Sequence, residues 1–184
     1  KQALVLHGPS GTGKSAVMAK AFLSMRDNED RSVIGRFVGA TPASQNLGSL
    51  LFDLISQLTV VAGKDTADLK ESHPSKLEGD LEIVLKEAAE KRPIVIFIDA
   101  CDQLDAEGEP ESLNWLPSET PENVRIVVSM LERPGEPAGA MFDRTLTIRD
   151  LFEFIEIRDM ESEVGSKILD RWLFSARRNL TGDQ

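Results

Sequence analysis

Near the start of the chain, Gly8-Pro9-Ser10-Gly11-Thr12-Gly13-Lys14-Ser15 carries the pattern Gly-x-x-x-x-Gly-Lys-Ser/Thr in full. Each residue type answers a need of phosphate chemistry. Glycines at 8, 11 and 13 let the backbone wrap closely around phosphoryl oxygens with its amides pointing inward. Lys14 neutralises β- and γ-phosphate oxygens, and the Ser15 hydroxyl ligates Mg²⁺. A helix beginning at Lys14 adds its positive dipole end. Gly8, Pro9, Ser10, Gly11, Thr12, Gly13, Lys14, Ser15 and Ala16 are therefore the expected nucleotide-binding set. The rival reading is a glycine-rich turn capping an ordinary helix. It does not explain eight matched positions set between an apolar strand and a helix.

A second stretch is Ile94-Val95-Ile96-Phe97-Ile98-Asp99. An apolar strand ending in aspartate has the form of a Walker B element, whose acid holds Mg²⁺ through water. Ser15 and Asp99 are thus the expected metal residues. Asp102 follows three positions later and could orient or activate an attacking water. The plainer reading makes Asp99 a turn cap, with Asp102 and Asp105 as solvated loop acids. A third stretch, Val124-Arg125-Ile126-Val127-Val128-Ser129, ends in a hydroxyl. In such ATPases a polar residue here often senses the γ-phosphate; the plainer reading of Ser129 is a strand end. Lys14, Asp102 and Ser129 form the expected catalytic group. Arg133 could also reach phosphate; its plainer reading is a surface arginine.

These residues need a scaffold, and the apolar pattern supplies one. Strands are expected at Ala3 to His7, Val33 to Val38, Ile94 to Ile98, Val124 to Ser129 and Phe154 to Ile157. The run Ile94 to Ile98 is continuous and apolar, as suits a central parallel strand covered on both faces. Helical spacing marks Lys14 to Met25, Leu47 to Leu58, Leu77 to Lys91 and Glu161 to Arg178. Ser44 is placed to cap the second helix. Residues 62–74 read as a loop, as do 105–122, with a short helix around Leu113 to Leu116. Arg133 to Gly139 is rich in breakers. Strands separated by helices imply an α/β fold: a three-layer P-loop NTPase with a parallel sheet of about five strands. His7 is expected to pack at the base of the loop. Trp115 and Trp172 are expected in the core, and Cys101 as a small buried residue.

Composition narrows the function. The chain has 184 residues, with 21 Lys and Arg against 31 Asp and Glu, a net charge of −10. That weighs against nucleic-acid binding, which needs a basic face. No apolar segment approaches the ~20 residues of a membrane-spanning helix. A single cysteine excludes an internal disulfide and suits a reducing, cytoplasmic setting. Two histidines make a histidine-rich metal site an unsuitable reading.

The stretch Ile96-Phe97-Ile98-Asp99-Ala100-Cys101-Asp102-Gln103-Leu104 resembles the Walker B region of NACHT-type STAND ATPases. Members carry a small residue after the magnesium aspartate and another acid three positions on. Arg36-Phe37-Val38-Gly39-Ala40-Thr41-Pro42-Ala43-Ser44, with Leu50-Leu51 and Gln57-Leu58, is similar to their second strand and helix. Phe154-Ile155-Glu156-Ile157, Ile168-Leu169, Leu173, Leu180-Thr181 and Gln184 resemble their last strand and the lead into a helical lid. The resemblance implies a signal-transduction ATPase switching between ADP and oligomerising ATP forms, with Mg²⁺ as cofactor. It implies slow hydrolysis and partners among other domains of the same chain, other proteins or further copies. Residues 1–178 would form the nucleotide-binding domain, and 179–184 would begin the lid, in a piece of a longer protein. Two departures stand out. Gln103 replaces a frequent acid. Ser129-Met130-Leu131-Glu132-Arg133-Pro134 displaces the arginine of a Thr-Ser-Arg-Pro stretch. Other classes remain open: a nucleotide-holding scaffold without hydrolysis, a P-loop small-molecule kinase and an AAA+ DNA-loading ATPase. The absence of clustered lid arginines weighs against the kinase, and the acidity against the DNA loader.

Overall fold

The computed structural model describes residues 3–67, 69–70, 73–105, 112–136, 139–159, 165–167 and 170–171. Five strands, β1 (Ala3–Gly8), β2 (Ser32–Phe37), β3 (Ile94–Asp99), β4 (Val124–Leu131) and β5 (Phe152–Glu156), form one sheet. Its order is β2-β3-β4-β1-β5, and every pairing is parallel. The helices are α1 (Lys14–Met25), α2 (Leu47–Val61), α3 (Pro74–Ala89) and α4 (Ala140–Leu146). The expected α/β architecture of about five parallel strands is the one observed.

Alternation along the strands sorts side chains to two faces. Val5, Ile94, Ile96, Ile98, Val124, Ile126, Val128 and Met130 point to the face covered by α2 and α3. There they meet Leu50, Leu51, Leu54, Leu58, Leu81 and Leu85. Leu6, Val95 and Phe97 point the other way, onto Met18 of α1. All six residues of β3 are buried, as its unbroken apolar sequence requires. Trp115 is 2% exposed, within the larger core.

Several boundaries differ from those read off the sequence. Ser44 does not cap α2. Asn46 does, its side chain accepting the Ser49 N–H at 2.9 Å. Ser44 instead closes a short 3-10 turn, Pro42–Gln45, through a reciprocal pair with Thr41. A cap must stand immediately before the first helical residue, and the extra turn moved that place by two. No helix forms around Leu113 to Leu116, only one turn in which the Leu116 amide donates to the Leu113 carbonyl. β4 runs two residues past Ser129, and β5 starts two residues before Phe154. Helix α4 follows the breaker-rich loop, where no helix was expected. Within the expected helix 161–178, residues 165–167 and 170–171 are helical. Its remaining positions, Trp172 among them, and the proposed lid start at 179–184 lie outside the described residues. No described helix is long and apolar enough to cross a membrane.

Candidate functional site

The loop from β1 into α1 is shaped by two glycines. Gly8 has φ +148°, and a Cβ there would lie 2.3 Å from the Ile157 carbonyl oxygen. That closeness follows from pairing, because the Ile157 N–H donates to the His7 carbonyl at 2.7 Å. Gly13 takes φ +92° at the N-cap of α1, and no side chain caps the helix. The first amides of α1 are left without a side-chain acceptor. Thr12 braces the loop by donating to the Pro9 carbonyl at 3.0 Å. Pro9, Ser10, Gly11, Ser15 and Ala16 are exposed.

Lys14 turns back over this loop. Its Nζ donates to the Gly8 carbonyl at 2.8 Å and the Pro9 carbonyl at 2.7 Å. Burial lowers its pKa, opposed by the nearby charges of Asp102, Asp99 and Glu132. The Gly8 carbonyl also accepts the Glu132 N–H at 3.1 Å, which ties the loop to the end of β4.

The acids stand on the adjacent strands. Parity puts Asp99 and Ser129 on the face that carries α1, and Ile98 pairs with Val128, so Asp99 at the end of β3 lies level with Ser129 on β4. The Ser129 hydroxyl donates to Asp99 Oδ1 and accepts the Ala100 N–H at 2.9 Å. Asp99 is 5% exposed and Ser129 1%. Ala100 then adopts φ 58° and ψ 48°, a left-handed conformation that costs a non-glycine residue about 1 kcal/mol or more. The chain reverses there into a 3-10 turn, Cys101–Gln103. Asp102 emerges from the turn toward β4, its Oδ1 accepting the Leu131 N–H at 2.8 Å. Burial raises the pKa of Asp102 above its ordinary value, while the Leu131 amide and Lys14 oppose the rise. Cys101 is fully buried, and burial next to Asp102 and Asp99 pushes its thiol far up, so it has no nucleophilic character. Gln103 lies against Gly39 in the loop after β2.

Lys14, Asp99, Asp102 and Ser129 thus converge at the carboxyl end of β1, β3 and β4. Arg133 instead pairs with Glu136 at 3.3 Å in the following loop. His7 packs at the loop base, stacked on Phe142 of α4 at 4.7 Å, with Nδ1 2.7 Å from Glu132 Oε2. Sequence reading passed over Glu132 and the Leu131 amide. The only signal was their place just past the expected end of β4, two to three residues after Ser129.

The residues fit a nucleotide with a divalent ion. The Lys14 ammonium already rests on two carbonyl oxygens of the loop, as a phosphate-binding cation would. Ser15 and Asp99 offer oxygen donors, the set that suits Mg²⁺.

Comparison with known proteins gives the family. Residues 1–128 match the AAA ATPase domain family. NACHT and WD repeat domain-containing protein 2 of Homo sapiens is 31% identical across 98% of this chain, which covers 11% of that protein. Its Mus musculus counterpart is 32% identical with the same coverage. NACHT domain- and WD repeat-containing protein 1 of Mus musculus is 24% identical over 98% of this chain and 12% of its own length. The chain spans about a tenth of the length of these curated relatives.

Proposed function

The chain belongs to the AAA ATPase domain family, and from there we propose that it binds ATP and hydrolyses it slowly as a switch in a larger protein. A nucleotide-binding ATPase domain is what family membership gives. The slow step, the switch and the residue roles are the proposal. The observation that carries it is the grouping of Lys14, Asp99 and Asp102 around one loop, with Lys14 bonded to the Gly8 and Pro9 carbonyls.

In this reading the amides of the loop and of the first turn of α1 hold the phosphates of ATP. Lys14 exchanges its carbonyl partners for β- and γ-phosphate oxygens. Ser15 and Asp99 would hold Mg²⁺, which would supply positive charge against the phosphates. Asp102 orients a water and accepts its proton. The water oxygen bonds to the γ-phosphorus, and the bond to the β–γ bridging oxygen breaks. ADP leaves with that electron pair, and the proton passes from Asp102 to the released products. A raised pKa makes Asp102 a better base than an ordinary carboxylate. Ser129 holds Asp99 and the Ala100 amide in place, and through them reports the state of the γ-phosphate. Loss of that phosphate would free Lys14 to return to its loop carbonyls and relax the end of β4 through Glu132 and Leu131. Similarity to WD repeat proteins supports a setting among further domains, the partners expected for such a switch.

Titration of the chain with ATP and ADP, with and without Mg²⁺, followed for hours by phosphate release, tests this reading. Binding with slow release that disappears in Asp102→Asn is the expected outcome. Binding with no release in the parent chain would leave a nucleotide-holding scaffold.

A further inference from the structure

At the far end of the sheet from the phosphate loop, β2 is the outermost described strand. Its ladder to β3 uses alternate peptide groups. The Ser32 N–H donates to the Pro93 carbonyl at 2.9 Å, and the Val38 N–H donates to the Asp99 carbonyl at 3.1 Å. Alternation therefore turns the N–H groups of Val33, Gly35 and Phe37 outward. Among the described residues, none accepts from the Val33 or Gly35 amide. Such an edge is a template for another strand.

Beside the first half of this edge lies a cavity of about 650 Å³. Val33, Ile34, Val60 and Val61 give it an aliphatic wall. Arg26, Arg31 and Arg92 stand around it. Arg26 contacts Asp27, its own neighbour, at 3.3 Å with both side chains largely exposed. The Arg31 Nε is buried and has no hydrogen-bond partner among the described residues. Two acids, Asp27 and Glu29, share the rim, on the loop before β2. In a chain of net charge −10, three arginines around one apolar hollow form a local reversal of sign.

We propose that the outer edge of β2 binds an extended peptide segment of a partner protein, added to the sheet as a further strand, with an acidic side chain seated on Arg31 and Arg92. Backbone pairing to Val33 and to the Gly35 amide supplies affinity, since the Gly35 carbonyl already accepts from Arg36 Nη1 at 2.9 Å; the valine wall takes an alternate apolar side chain, and the arginines choose an acid. This surface is separate from the nucleotide site and does not depend on the proposed hydrolysis.

The test uses the whole chain and a fluorescein-labelled hexapeptide of alternating valine and threonine ending in two aspartates. Fluorescence anisotropy should rise to saturation. Arg92→Ala and Arg31→Ala should each weaken binding at least about tenfold, as should replacing both aspartates with asparagine. N-methylation of alternate peptide nitrogens should weaken binding as much, because it removes the edge hydrogen bonds. In a ¹⁵N spectrum the Val33 and Gly35 amides should shift on binding. If Arg31→Ala unfolds by circular dichroism, Arg92→Ala and the asparagine peptide still decide. The proposal falls if no saturable binding occurs, or if the N-methylated peptide binds equally. It also falls if acetate or inorganic phosphate displaces the peptide completely, which would mark a pocket for small anions.

Discussion

Lys14 is tied to its own loop by two hydrogen bonds, so removing it should change ligand binding far more than folding. Lys14→Ala is expected to lose ATP affinity at least about tenfold in calorimetric titration and keep its circular dichroism spectrum; unchanged affinity would refute the loop as the site. Asp102 gives a sharper test. Asp102→Asn should lower phosphate release about a hundredfold and leave ATP binding in place. The same variant should also melt higher than the parent at pH 7. Its folded pKa is raised by burial, so the folded state binds the proton more tightly than the unfolded chain. The charged carboxylate therefore destabilises the fold at neutral pH, and this penalty disappears as pH falls below the ordinary carboxylate range. The asparagine variant's advantage in melting temperature should vanish in the same direction. Ser129→Ala strands Asp99 Oδ1 and the Ala100 amide in a buried place, at a cost of about 1–3 kcal/mol in urea unfolding. The places of Lys14 on the loop and Asp99 at a strand end could be read from sequence because a loop motif and a strand end are local patterns. The bond from the Leu131 amide to Asp102 could not, since it joins residues 29 apart and depends on the left-handed turn at Ala100. Nor could the approach of His7 to Glu132, 125 residues away.

Elements with strong periodicity were readable in kind, with ends that shift by two or three residues: α2 runs on to Val61, and α3 spans Pro74–Ala89 where Leu77 to Lys91 was expected. The bounds of α1 match those expected, because left-handed Gly13 ends the loop at the N-cap and Met25 closes the apolar series. Helix α2 starts at Leu47 as expected, but its cap is Asn46 and not Ser44, and its energetics follow from the observed cap. Asn46→Ala should destabilise the protein by about 1 kcal/mol, and Ser44→Ala by less; equal losses in thermal unfolding would contradict the assignment. Helix α4 escaped notice because it has seven residues, too few for a periodic signature beside a loop of prolines and glycines. It owes its place to tertiary contact, with Met141 and Phe142 buried and Phe142 stacked on His7.

For the molecule as a whole, the two faces of the sheet are unequal. The face under α2 and α3 holds most of the buried side chains, and the face under α1 holds few. Leu51, fully buried on the larger face, should cost about 2–5 kcal/mol on truncation to alanine, measured by urea unfolding. The site sits at the junction of strands from distant parts of the chain, which is why its order in the sheet was not legible from any one segment. That order also sets a timetable. β1 leaves the ribosome before every strand it will touch. Its neighbours, β4 and β5, begin at Val124 and Phe152. At about 5–20 residues per second, the loop-bearing strand waits on the order of ten seconds for a partner. A nascent chain stopped before β4 would have the whole loop sequence and nowhere to hang it. Nucleotide could not act as an early folding template during synthesis, and would gain a grip only when the sheet closes around its first-made strand.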